Sequence, residues 1–313
     1  MRTGSGLRKL IPAAGLIFLA VFGASSQSQK GRAVMWESVN IKQQNVLLGP
    51  GGTAHRPNVR RITFIEKETG GNNLKYRIKD ASGRVWVAKI ADESRPETAA
   101  VRLLWAIGYK TEINYLVPRL TIPGKGTYSN VRLEARPANV KRGERWDWNN
   151  NPFADTRELR GLKIMMALIN NWDLKNGNNI ILQTAGQHHY AVSDLGSAFG
   201  KMAITSGFFF NRFGRSVDEP AGFMKSKFIN EVTDDGFIDF AYNGKAAGLL
   251  DDITPADAAW AGMLLSQLSN KQLDDAFRAA NYSAGERRIL IQAVKGRIRQ
   301  LQTVGYNRLE AVR

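Results

Sequence analysis

The residues best suited to chemistry fall at three places in the chain. One stretch reads Asn170-Asn171-Trp172-Asp173-Leu174-Lys175-Asn176-Gly177-Asn178-Asn179. A second reads Ser193-Asp194-Leu195-Gly196, and Lys89 ends the run Val85-Trp86-Val87-Ala88-Lys89. Carboxylate and carboxamide oxygens are the hard ligands that Mg²⁺ accepts alongside phosphate oxygens. A further carboxylate can orient a hydroxyl, and a fixed ammonium can hold a phosphate. Together these groups suit reactions at phosphorus. Taken singly they are ordinary: Asp-Leu-Gly makes turns, Asn-rich loops cap helices, and lysine is common on strand edges.

The elements that must position these groups follow from periodicity. After a polar stretch ending in Gly49-Pro50-Gly51-Gly52, β-like runs appear at Arg61–Glu68, Leu74–Asp80 and Val85–Ile90. Gly70-Gly71-Asn72-Asn73 and Ala81-Ser82-Gly83 separate them, so an antiparallel meander is the simplest account. Pro96 and Glu97 then open a helix that stops near Gly108. Tyr115–Thr121 and Asn130–Ala135 add two strands, and Arg136-Pro137-Ala138 reads as a crossing segment. Beyond it, Thr156–Asn170, Asp257–Leu268, Asn270–Ala280 and Ala284–Leu301 have helical patterns, with caps at Thr156 and Ser283. Two short strands, Asn178–Gln183 and His189–Ser193, interrupt this helical region. The expected fold class is α+β, with a small antiparallel β-rich lobe over 59–137 and a mostly helical lobe over 138–313.

In this context the chain resembles the protein-kinase-like superfamily. The kinase catalytic loop has Asp-Leu and then Asn five positions after the Asp, and Asp173, Leu174 and Asn178 repeat that spacing. Asp194-Leu195-Gly196 stands where kinases carry Asp-Phe-Gly, and Val87-Ala88-Lys89 is similar to the Val-Ala-Ile-Lys strand. The resemblance implies a two-lobed kinase-like fold that binds ATP with Mg²⁺, or Mn²⁺ in its place. It further implies Asp173 as the base or acceptor-orienting group, Lys175 as an electrostatic stabiliser, and Asn178 and Asp194 as metal ligands. Lys89 would hold the nucleotide phosphates with Glu97 as its ion-pair partner. The turn Gly70-Gly71-Asn72-Asn73 would cover the nucleotide with its backbone amides.

The chain also departs from ordinary kinases. It has no Gly-x-Gly-x-x-Gly, Asn171-Trp172 replaces the His-Arg pair, Glu97 follows Lys89 by only eight residues, and no Ala-Pro-Glu follows Gly196. Over Arg61 to Leu301 it looks more similar to atypical members, such as secretory-pathway, spore-coat or HipA-like kinases, and to a group of exported bacterial proteins with a Trp-Asp-Leu-Lys-type loop. The run Gly207–Phe213, rich in phenylalanine, reads either as an acceptor-binding insertion or as an anchor for its loop.

Location and partners rest on composition. Arg2, Arg8 and Lys9 precede an uncharged run, Leu10–Ala24, of only about fifteen residues, the pattern of a signal peptide over 1–26. The run is short for a spanning helix, and an uncleaved anchor would export the domain as well. Residues 27–58 read as a polar arm or linker, and the product is expected to be periplasmic or secreted. With no cysteine, disulfides and thiolate metal sites are excluded. The formal net charge of +16 favours anionic partners, although no specific nucleic-acid motif and no transmembrane segment after the leader stand out. The leading expectation is a phosphotransferase with a protein hydroxyl as acceptor. The alternatives are an inactive pseudokinase that binds a partner and a basic envelope protein that binds anionic polymer.

Overall fold

A computed structural model describes Met1 and residues 31–71, 73–202 and 214–311, with side chains through residue 305. Residues 2–30, where the signal peptide is expected, Asn72 of the glycine-rich turn and the Gly207–Phe213 run lie outside the described residues.

Residues 31–58, expected as a loose arm, are packed. β1 (Arg32–Val34) runs parallel to residues 187–189. Met35, Ile41 and Val46 are buried in the main core. The Gln272 side chain donates to the carbonyls of Ile41 (2.7 Å) and Gln44 (3.1 Å), and the Tyr115 hydroxyl donates to the Gly52 carbonyl (2.6 Å). These apolar residues are too irregularly spaced to show a period, and their carbonyls are satisfied by residues distant in sequence.

The first sheet consists of β2 (Thr63–Glu68), β3 (Leu74–Lys79) and β4 (Val85–Ile90), then, after α1 (Ser94–Ala106), β5 (Asn114–Ile122) and β6 (Gly126–Ala135). Its order is β2-β3-β4-β6-β5, antiparallel throughout, which places β4 in the middle. Alternation along the strands turns Ile78, Trp86, Ala88, Val131 and Leu133 into one core. The turn from β3 to β4 is held by Asp80, whose carboxylate accepts from Trp86 Nε1 (3.0 Å) and the backbone of Ser82 and Arg84. Gly83 takes a left-handed φ of 80° there, which glycine adopts without steric cost.

The second half contains β7 (Lys141–Arg142), α2 (Arg157–Leu168), β8 (Asn179–Thr184), β9 (Gln187–Val192), α3 (Pro220–Lys225), β10 (Ile229–Val232), β11 (Ile238–Phe240), α4 (Pro255–Ser266), α5 (Asn270–Ala279) and α6 (Ala284–Ala311). Thr156 caps α2 through the Leu159 amide, and capping boxes start α4 (Thr254, Asp257) and α5 (Ser269, Gln272). The β8–β9 hairpin sits in a sheet of order β1-β9-β8-β7. Arg297 of α6 is buried, and its guanidinium donates to the carbonyls of Ala167, Leu168 and Phe223 and to Asn170 Oδ1. It thus satisfies the exposed carbonyl end of α2 and fixes the point where the following loop begins. Among the described residues no helix is long and apolar enough to cross a membrane.

Candidate active site

Because β4 has neighbours on both sides, Lys89 is almost fully enclosed, at 3% side-chain exposure. An ammonium survives there only among carboxylates. Glu93 Oε2 lies at 2.7 Å, Glu97 Oε2 at 3.1 Å and Asp194 Oδ1 at 3.5 Å. The chain turns tightly from β4 into α1, where Ser94 Oγ donates to the Lys89 carbonyl (3.1 Å), and this brings Glu97 in the first helical turn over the sheet. A carboxylate is favoured there by the helix N-terminus.

Glu97 has a second partner. Arg132, opposite Lys89 in the β4–β6 register, reaches Glu97 Oε1 at 2.8 Å and Glu134 Oε2 at 2.8 Å. Glu134 is shared with Arg136 and with Arg142 (3.0 Å). Arg142 also meets Glu112, whose Oε2 accepts from Ser193 Oγ at 2.7 Å. A chain of charges therefore runs from Lys89 through β6 to the residue preceding Asp194. Burial pushes the Glu97 carboxyl up to about 6, against the pull of Arg132 and Lys89. Burial opposes the Lys89 charge as well, but the carboxylates, Glu97 foremost, outweigh it and raise its pKa. The two shifts differ in what they say of the pair: the ammonium is over-compensated, and the carboxyl is not. Both leave the pair charged at neutral pH, with the carboxyl as the weaker member.

The residues expected to form the catalytic loop gather in a second, more open cluster. Asn171 Oδ1 accepts from the Asp173 amide, and Asn178 Nδ2 donates to the Asp173 carbonyl (2.7 Å) and Oδ2 (3.2 Å). Lys175 Nζ lies 2.7 Å from Asp173 Oδ2 and Lys245 Nζ 2.5 Å from Oδ1. Burial works against the Asp173 charge, yet the bonds from Lys175, Lys245 and Asn178 outweigh it and hold the carboxyl below the usual range. The Asn178 carbonyl accepts from the amides of Ser193 (2.6 Å) and Asp194 (3.2 Å). Asn178 and Asp194 are thus locked together where β8 begins and β9 ends. Leu195 is buried beside them, and Asp194 stays 40% exposed.

Among the described residues the glycine-rich turn is joined to the first cluster through Asn73. Asn73 Nδ2 donates to Glu93 Oε2 at 2.7 Å, and Lys75 Nζ to the Gly70 carbonyl at 3.1 Å. Gly71 has a left-handed φ of 76°, and a Cβ on Gly70 would meet open space. The geometry brings together Lys89, Glu97, Asp194 and Asn73 in one group and Asp173, Lys175 and Asn178 in the other, and leaves Gly70 and Gly71 touching neither.

Glu93, Arg132, Glu134 and Lys245 were not singled out from sequence. Arg132 and Glu134 left a faint signal, two charges on one face alternating with the apolar Val131, Leu133 and Ala135 on the other. Lys245 left none, since it reaches Asp173 from a distant loop through a single backbone bridge.

Trp146 and Trp148 are buried edge to face at 4.7 Å, and His189 is half-buried and bonds Gln187 Oε1. Among the described residues no group of three or more His, Cys, Asp or Glu is placed to hold a metal ion. Two protein oxygens with nucleotide phosphates form the smaller kind of set that Mg²⁺ accepts, and Asn178 with Asp194 fits it. The Asn178 amide nitrogen donates twice to Asp173, which directs Oδ1 away from that carboxylate. A cavity of about 310 Å³ near residues 135–142 includes Glu112, Arg136 and Arg142 of the charge chain but none of the catalytic-loop residues.

A central-strand lysine paired to the next helix, followed by a loop and hairpin that carry Asp, Asn and Asp, is the layout of a kinase-like fold. Among solved structures, the chain is similar to a proinflammatory kinase of Helicobacter pylori, CtkA, with a TM-score of 0.50 and 13% identity over 78% of this chain and 97% of that one. At this identity the likeness establishes the fold alone: α+β, two-lobed and kinase-like. No protein-family model and no curated protein matches the chain.

Proposed function

We propose that this protein is an exported, Mg-ATP-dependent phosphotransferase that acts on a protein hydroxyl. The observation that carries the reading is the enclosed Lys89, held 3.1 Å from Glu97 and 3.5 Å from Asp194. An ammonium aimed this way from a rigid strand is pre-organised for phosphate. Asn178 and Asp194 would hold the metal, which would offset the charge of the nucleotide phosphates. Asp173 would accept a hydrogen bond from the acceptor hydroxyl and aim its oxygen at the γ-phosphorus. That oxygen gains the phosphoryl group as the bond to ADP breaks, and its proton passes to the Asp173 carboxylate. Lys175 would balance charge beside it, and the amides of the 70–73 turn would cover the nucleotide. The leader pattern over 1–26 supports export to the periplasm or medium, and the resemblance to secretory-type and HipA-like kinases belongs to the same reading.

The test is Mg²⁺-dependent ATP binding by residues 27–313, with Lys89→Ala and Asp194→Ala compared at equal folding. Binding that is lost in both folded variants supports the site; binding retained in both refutes it. Binding without transfer to any acceptor moves the reading to an inactive, partner-binding pseudokinase.

A further inference from the structure

The cavity of about 310 Å³ is at the small end of the size range of ligand sites. Its apolar wall gathers segments that are far apart in the chain: Val39 before the first sheet, Trp105 near the end of α1, Ile113 before β5, Pro137 and Val140 around the crossing segment, and Leu182 of β8. Among the described residues no member of β2, β3 or β4 lines it, and neither do Asp173, Asn178 or Asp194, so it is separate from the proposed nucleotide site. Packed interiors leave few voids larger than a water molecule, and apolar walls hold water poorly.

The charged groups in the wall are already matched. Glu37 lies 2.7 Å from Lys110 and 2.9 Å from Arg32. Arg142 pairs with Glu112 and with Glu134 (3.0 Å), and Arg136 pairs with Glu134. Burial holds His189 below the usual histidine range, which leaves its ring neutral at neutral pH. A charged occupant would therefore lose its hydration and find no free counter-ion, whereas an uncharged ring system gives up little and releases water from apolar surface.

The same wall is one residue away from the chemistry. Glu112 Oε2 accepts from Ser193 Oγ at 2.7 Å, and Arg142 donates to that oxygen at 3.3 Å. Ser193 precedes Asp194, and the amides of both donate to the Asn178 carbonyl. A ligand that braces Glu112 and Arg142 braces the end of β9 that carries Asp194.

From this we propose that the cavity is an effector site for a small, uncharged, ring-containing apolar molecule, whose binding steadies Ser193 and Asp194 through Glu112 and Arg142. The binding does not depend on the phosphotransferase reading; the consequence for a metal ligand at Asp194 does.

The experiment uses the full chain and residues 27–313, which keep the whole compact unit 31–313, so that the apolar run Leu10–Ala24 is tested as a competing binder. The probe is N-phenylnaphthylamine, an uncharged fluorophore, compared with anilinonaphthalene sulfonate, which has the same rings and a negative charge. We expect one site in both chains, with the uncharged probe bound at least about tenfold more tightly than the sulfonate. Val140→Trp and Val39→Trp each fill the cavity from a partly exposed position, and either one that keeps the native thermal melt should weaken binding at least about tenfold. Saturating probe should slow hydrogen exchange of the Ser193 and Asp194 amides about fivefold, and Ser193→Ala should remove the slowing at Asp194 while the probe still binds. Absence of probe binding to residues 27–313, equal affinity for the sulfonate, or binding that survives both tryptophan substitutions overturns the proposal. Binding that leaves the exchange of both amides unchanged overturns it as well. If the probe binds and protects as expected while MgATP does not bind, the effector site stands and the phosphotransferase reading falls.

Discussion

Two clusters of charge meet at this site, and they are built on opposite principles. Around Lys89 the charges are enclosed: Lys89 and Glu97 are 3% and 1% exposed, and Arg132 and Glu134 lie beside them in the sheet. Around Asp173 the acid is mostly buried, but its lysines, Lys175 and Lys245, are 51% and 49% exposed. Enclosed charges have few alternatives, and each depends on its neighbour because desolvation is costly for any left unpaired. Half-exposed lysines exchange a carboxylate for water at little cost. The first cluster suits a group that must stay aimed. On the proposed function, the second suits a carboxylate that exchanges its lysine bonds for one from an acceptor hydroxyl.

The sharpest division between the clusters lies in the kinetics. Asp173→Asn should lower kcat by about 10²–10⁴-fold, while the MgATP dissociation constant stays within a few-fold. A matching loss of nucleotide affinity would mean that the clusters do not act separately.

Stability should separate them next. Arg132→Met leaves Glu97 with Lys89 alone and Glu134 with only the partly exposed Arg136 and Arg142, and should cost up to about 3–5 kcal/mol in urea unfolding. Lys245→Met should cost less than about 1 kcal/mol. Equal losses would break the contrast between enclosed and open charge.

A smaller effect is expected in the pH dependence of stability. Burial raises the Glu97 carboxyl from 4.5 to about 6, so the folded chain holds that proton more tightly than the unfolded chain. Its contribution favours folding in full below pH 4.5 and is lost as the pH rises through about 6. Relative to Glu97→Gln, the native chain should lose roughly 2 kcal/mol across that window, measured by unfolding at stepped pH.

The mildest effect concerns Asp173. Its carboxyl is held down in part by Lys245, so in Lys245→Met the acid limb of the pH–rate profile should move to higher pH. An unmoved limb would show that Lys175 and Asn178 hold the charge without Lys245.

What the amino-acid sequence determined by itself was local in character. The alternating run into Lys89, the Thr156 cap and the spacing of Asp173 to Asn178 each lie within a few residues, where period and propensity operate. The expected strand Val85–Ile90 matches β4 residue for residue, and the α+β order of a sheet lobe before a helical lobe was legible from the change of period. Tertiary structure decided the rest. Residues 31–58 pack because Gln272 and Tyr115 reach them, Arg297 sets the start of the loop after α2 from the last helix, and Lys245 arrives at Asp173 from a separate loop. The chain of charges likewise joins Glu97 to Arg132, Glu112 to Arg142 and Glu112 to Ser193, each pair far apart in sequence. Each is a single contact between distant positions, which repeats with no period. It exists only once burial removes water and makes the pairing of those particular groups obligatory.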